Sequence, residues 1–161
     1  MTELRTVQNG IANLLRSSPA IMGLLPGGVW TRRIRKNDGP ADAPTPGSTP
    51  GAFDAAGRIL RCAAVLNGIA TDNPTGPAGA YVAYPEIWLR CLPHESEQER
   101  LEEAALHILD LLRDGSRIRV TGGGVAFLRN AARMMPDDDP DLPPAVVDMI
   151  RVQADGIWRI S

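Results

Sequence analysis

The placement of proline constrains this chain more than any other feature. Ten of its 14 prolines fall in three stretches: Asn37 to Gly57 (Pro40, Pro44, Pro46, Pro50), Asn67 to Ala80 (Pro74, Pro77) and Pro136 to Pro144 (Pro136, Pro140, Pro143, Pro144). Proline fixes φ and has no amide hydrogen, so none of these stretches is the interior of a helix or a central strand. Three loops are therefore expected, at 37–57, 67–80 and 136–144, and the regular elements must lie between them. The first is long for a connection inside a compact domain, which marks it as a functional excursion or a locally disordered one. Its sequence NDGPADAPTPGSTPG has almost no apolar anchor and predicts mobility in the isolated chain. Neither side of it looks complete, so the 161 residues are expected to form a single domain over 1–161 and not two joined by a linker.

Between the loops the apolar periodicity is readable. Leu4, Val7, Ile11, Leu14 and Leu15 share one face at helical spacing, predicting an amphipathic helix from about Glu3 to Ser17. Ser18 before Pro19 predicts a capped short turn of helix, stopped by Pro26, Gly27 and Gly28. Ser96 with Glu99 reads as a capping box, followed by Leu101, Ala105, Ile108 and Leu112 on one face until Asp114 and Gly115. Extended segments are expected at Gly28 to Arg35, Arg58 to Asn67, Ala80 to Leu92, Arg117 to Thr121, Val125 to Met135 and Val146 to Ile160. In the third, Ala83, Ile87, Leu89 and Cys91 alternate with Tyr84, Glu86, Trp88 and Arg90, giving one apolar and one amphipathic face. This order predicts an α+β fold: a mostly antiparallel β-sheet with two main helices packed on one face and long Pro/Gly-rich loops.

Charge narrows the function classes. A formal net charge of −2 argues against a protein that coats nucleic acid. Two cysteines, Cys62 and Cys91, make neither a disulfide scaffold nor a paired zinc module. Without a leader-like N-terminus or an apolar run of membrane length, a soluble, cytosolic product with no membrane partner is expected. The small total conceals segregation. Residues 1–36 carry six basic side chains against Glu3, 94–114 carry seven acids against Arg100 and Arg113, 115–135 carry four arginines and no acid, and 136–161 carry six aspartates against Arg151 and Arg159. Such runs are either solvated faces or complementary assembly patches.

No catalytic constellation emerges. Thr121-Gly-Gly-Gly-Val125 lacks the Lys-Ser/Thr of a phosphate loop and the spacing of a dinucleotide fingerprint, so a hairpin is expected there. Asp137-Asp138-Asp139-Pro140-Asp141 departs from a calcium loop at Leu142 and Asp148, which leaves a solvated acidic loop. His94 and His107 form no metal or nucleophile pattern with the two cysteines, and both thiols fall at strand positions that favour burial. No catalytic residue, cofactor-binding residue or metal ligand is assigned, and a non-enzymatic protein is expected. Trp30 beside Arg32, Arg33, Arg35 and Lys36 is too sparse in aromatics for a single-strand nucleic-acid groove. Arg32, Arg33, Arg35, Trp88, Asp137, Asp138 and Asp139 are the candidate contact residues.

Taken in order, the N-terminal amphipathic helix, the passage LRSSPAIMGLLPGGVWTR, the strand YPEIWLRCLP entering the helix SEQERLEEAALHILDLLRDG, and the closing strand VVDMIRVQADGIWRI resemble the tail terminator (tail completion) proteins of long-tailed bacteriophages. The resemblance lies in element order and residue type, over most of the chain. It implies a small α+β structural protein without catalytic residues or cofactor, forming a ring, commonly a hexamer. Such a ring caps the tail tube and docks the head connector, so the implied partners are further copies, the tail tube protein and the head–tail connector protein. DNA would meet it only by passing through the lumen, and its place would be the head-proximal end of the virion tail after assembly in the host cytoplasm. The long loop 37–57 and the acidic loop 136–144 depart from that family, and 37–57 is expected to reach a neighbouring subunit, with residues 41–52 dispensable for folding. A head-to-tail connector, neck or head-closure protein would use a similar domain. A small enzyme or ligand-binding domain, with a pocket near Trp88, Tyr84 and His94, is the reading from another class.

Overall fold

The computed structural model describes residues 2–34, 51–54, 56–67, 70–72, 80–120, 124–134 and 146–157. Helix α1, Thr2–Arg16, buries Val7, Ile11, Ala12 and Leu15 along one face. Ser18 then caps α2, Pro19–Leu24, by accepting the Ile21 amide at 3.4 Å, with Pro19 in the first turn where its missing amide hydrogen costs nothing. Gly28, at φ 83°, turns the chain into β1, Val29–Trp30.

Strand β1 lies parallel to β2, Cys62–Leu66, and β2 runs antiparallel to β5, Glu86–Cys91. A short β3, Ala70–Asp72, pairs with β4, Ala80–Ala83. Both β4 and β5 pair with the same side of β8, Val146–Ile157, in one continuous register from Ala80↔Ile157 through Ala83↔Ala154 to Cys91↔Val146. They are two halves of one arm. The ladder breaks at Tyr84 and Pro85 because Pro85 has no amide hydrogen to give, although its carbonyl still accepts from the Val152 amide at 3.2 Å. The other side of β8 pairs with β7, Gly124–Met134, and β7 pairs with β6, Arg117–Val120. The β6–β7 register, Val120↔Gly124, is that of the expected glycine hairpin, whose turn residues 121–123 lie outside the described residues.

The β7–β8 register shifts between Arg129 and Ala132, where Asn130 takes φ 54°. Asparagine tolerates this left-handed conformation better than other side-chain-bearing residues. Here its amide donates to Asp114 Oδ1 at 2.8 Å and its Nδ2 to Gln153 Oε1 at 3.0 Å, fixing the bulge.

Helix α3, Glu95–Leu111, packs on the same face of the sheet as α1 and α2. Leu101, Ala104, Ala105 and Ile108 meet Ile87, Leu89 and Cys91 of β5, Ile150, Val152 and Ala154 of β8, and Ala126, Leu128 and Ile118 beyond. The observed architecture is thus α+β, with a mostly antiparallel sheet and both long helices on one face. Glycine permits close approach at Gly10 and Gly156. A Cβ on Gly10 would sit 2.9 Å from the Arg119 carbonyl oxygen of β6, and one on Gly156 would collide with the Tyr81 ring that lies across it.

The opposite face carries a second, smaller core: Trp30, Ile34, Ala52, Phe53, Ile59, Cys62 and Ala64. It is built by a turn in which Phe53 bridges Ile59 and Asp54 Oδ1 accepts the amides of Ala56 and Arg58, each at 2.9 Å. The Arg58 amide is the main reason the Asp54 carboxyl is held below the usual carboxylate range.

Four expectations need correction. The extended segment expected at Gly28 to Arg35 is a strand only at Val29 and Trp30; beyond it Ile34 leaves the ladder to fill the second core. The stretch 67–80 is not loop throughout, since Ala70–Asp72 forms β3. The end of 37–57 is anchored, with Ala52 and Phe53 buried, so removing residues 41–52 would take a core residue with it. Residues 35–50 lie outside the described residues, as do 135–145 with the acidic loop. Lastly, Ser96 and Glu99 do not form a capping box. The helix starts earlier, directly after Pro93, with His94 as the N-cap residue without a capping side-chain bond. Glu95 and Glu97 in the first turn oppose the positive end of the helix dipole instead.

Cys62 and Cys91 form no disulfide and are fully buried. Burial, then the charge of Glu97, pushes the Cys91 thiol from its ordinary 9.0 up to about 11. A thiol harder to ionise when folded favours the folded state below its unfolded pKa, and that contribution disappears as pH rises from 9 to about 11. Stability is expected to fall more steeply over this interval in the wild type than in Cys91→Ala, by urea unfolding at each pH. Parallel curves would contradict it.

Candidate assembly surfaces

Three surfaces combine charge and exposed apolar area. The first is the corner where β1, β2 and β5 meet. The Arg32 guanidinium stacks on the Trp30 ring at 5.0 Å and donates to the Arg33 carbonyl at 3.0 Å, while Arg33 itself is exposed. On β5, Arg90 lies over the half-buried Trp88 ring at 5.6 Å, and Trp88 Nε1 donates to Glu86 Oε2 at 3.0 Å. Arg151 holds the other Glu86 oxygen at 3.1 Å. Arg33 and Trp88, both singled out by sequence, line one hollow with Ile34, Ala64, Leu66 and Arg90. The cavity there is about 10 Å³, room for a single water. Among the described residues, this hollow beside Trp88 is therefore too small for a ligand. Arg35, Asp137, Asp138 and Asp139 lie outside the described residues.

The second surface is the outer side of α3. Leu106 is 57% exposed on the side opposite the buried Leu101, Ala105 and Ile108. Helical spacing places Glu102 and Glu103 one turn before it and Asp110 one turn after. Glu103 lies 4.0 Å from His107, and Glu102 is 3.3 Å from Arg133, whose guanidinium also binds Asp148 at 2.6 Å. The result is an apolar knob in an acidic surround.

The third is the part of the sheet's opposite face formed by β6, β7 and β8. Strand alternation turns Ala126 and Leu128 into the main core and leaves Val125 and Phe127 on this face, each 44% exposed. Arg117, paired across from Phe127, stacks on its ring at 5.2 Å; Arg119 is paired across from Val125. On the other side, Arg129 forms an ion pair with Asp155, the β8 partner of Phe127. This is an apolar centre in a mainly arginine surround.

Sequence reasoning missed Leu106, Val125 and Phe127. Their signals were present: Leu106 lies off the apolar face of its helix, and β7 alternates apolar residues on both faces. Among the described residues, no group of three or more His, Cys, Asp or Glu side chains could hold a metal ion. No helix among them is long and apolar enough to cross a membrane.

No protein-family model matches the chain. No curated protein matches it either. Solved structures do. One, described as the virion of a native gene transfer agent particle, superposes with a TM-score of 0.55 at 13% identity over 94% of this chain and 93% of that one. A second has a TM-score of 0.53 at 12% identity, covering 97% of this chain and 94% of that one. At such identities the likeness is one of fold.

Proposed function

We propose that this chain is a structural protein of a phage-like virion, a tail terminator whose 161 residues act as one domain in a ring. The ring caps the tail tube at its head-proximal end and offers its other side to the head connector. The observation that carries this reading is a fold shared along nearly the whole length of both chains with a component of a gene transfer agent virion, in the element order that suggested terminators from sequence. The exposed surfaces agree with it, since a head-to-tail ring needs two different patches on each subunit. Arg32, Arg33, Arg35, Trp88 and Asp137 to Asp139 are proposed contacts with neighbouring copies or with the tube and connector.

Adding the purified protein to its polymerising tail-tube protein tests the role. Tubes are expected to stop growing and to show, by electron microscopy, one extra ring at one end. Tubes of unchanged length and bare ends would reject the terminator role.

A further inference from the structure

The acidic knob on α3 and the arginine-rimmed patch on the sheet share one pattern, an apolar centre with a charged rim, and are opposite in sign. Leu106 stands among Glu102, Glu103 and Asp110; Phe127 and Val125 lie beside Arg117, Arg119 and Arg129. An exposed apolar centre with a charged rim is the composition of a protein contact, and opposite rims fix its register. The two patches lie on opposite layers of the domain, because α3 covers the core face through Leu101 and Ile108 while Phe127 is on the other face. One copy therefore cannot satisfy its own patches. Each copy presents both, so the occupant that fits is a second copy of this chain.

We infer that the outer face of α3 in one subunit, centred on Leu106, seats on the β6–β7–β8 face of the next, centred on Phe127. The contact is head-to-tail and repeats from copy to copy. It specifies the subunit interface of the ring proposed above and rests on that reading. Arg117 meets the contact already held over the Phe127 ring, so it gives up little side-chain freedom on association. Arg119 has no carboxylate partner among the described residues, and the neighbour's Glu103 or Asp110 supplies one.

The test is disulfide trapping in the full chain. Leu106→Cys/Phe127→Cys, oxidised with copper phenanthroline, is expected to give a ladder of dimers, trimers and larger species on a denaturing gel. Each single variant can give no more than dimers, since Cys62 and Cys91 are buried. A double variant that yields no ladder, or dimers alone, overturns the contact. A charge test avoids dependence on those cysteines: Arg117→Glu/Arg119→Glu and Glu103→Lys/Asp110→Lys should each weaken self-association roughly tenfold or more, and mixing the two should restore it. Light scattering on the wild type separates the two levels of the reading. Closed oligomers with neither ladder nor charge effect would overturn this contact and leave the ring standing, whereas a monomer at every concentration, with no ladder, would overturn both. Trapping to added tail-tube protein in place of other copies would make these patches a partner dock and overturn the self-contact.

Discussion

Replacing Trp30 with alanine is expected to lower stability by about 3–5 kcal/mol, the range for deleting a buried aromatic side chain. Trp30 is 1% exposed and is the centre of the second core, touching a shell drawn from Ile34, Ala52, Phe53, Ile59, Cys62 and Ala64. That core is small, and its remaining side chains cannot fill the volume of an indole without giving up their own contacts. The indole also donates Nε1–H to the Gly27 carbonyl at 2.8 Å. This bond closes the turn between α2 and β1, where a Cβ on Gly27 would lie 2.8 Å from the Cys62 Cβ. Trp30→Phe retains most of the apolar area but orphans that carbonyl, at an expected cost of about 1–3 kcal/mol. Urea unfolding of the three proteins measures both steps. An alanine variant within about 0.5 kcal/mol of wild type, as for a surface substitution, would show that the second core does not support the fold.

The second large effect is expected at Arg61 and Glu97. The Arg61 side chain is 9% exposed; its Nε donates to the Leu24 carbonyl at 2.8 Å and its Nη1 to Glu97 Oε2 at 2.6 Å. One guanidinium thus joins the end of α2 to the first turn of α3. Removing one partner of a buried pair leaves a charge without compensation, which costs about 3–5 kcal/mol when both are fully buried. Glu97 is 29% exposed, so water screens part of the loss and Glu97→Gln is expected to cost about 2–3 kcal/mol. Arg61→Met/Glu97→Gln should cost less than the sum of the single changes, by at least about 1 kcal/mol of coupling. The Cys91 thiol gives an independent readout. Glu97 raises its pKa and Arg61 lowers it, so Glu97→Gln should bring the thiol down from about 11. Additive losses with an unmoved thiol would mean that the pair is not coupled.

The α+β class was legible because it rests on local rules. Helical spacing in Val7, Ile11 and Leu15, alternation in Ile87, Leu89 and Cys91, and prolines at the loops each act within a few residues of chain. Where a local signal competed with packing, packing won. Ile34 left the expected strand to fill a core that exists only once 51–54 and 56–60 fold back, and α3 begins at Glu95, directly after Pro93 and His94 and ahead of Ser96. Of the contact residues named from sequence, Arg33 and Trp88 come together in one corner, while the apolar centres at Leu106 and Phe127 went unnoticed.

The difference has a single physical origin. Sequence alone determined which residues alternate, which face of each element is apolar, and that acidic and basic segments are separated along the chain, since these depend on the backbone periods of helix and strand. Only the tertiary structure decided that α3 and β7 turn their charged sides to opposite sides of one sheet. That outcome depends on the pairing of β5, β7 and β8, contacts between residues far apart in the chain. Charge segregation in one dimension became two opposed surfaces in three, and it is there that the proposed second copy would dock.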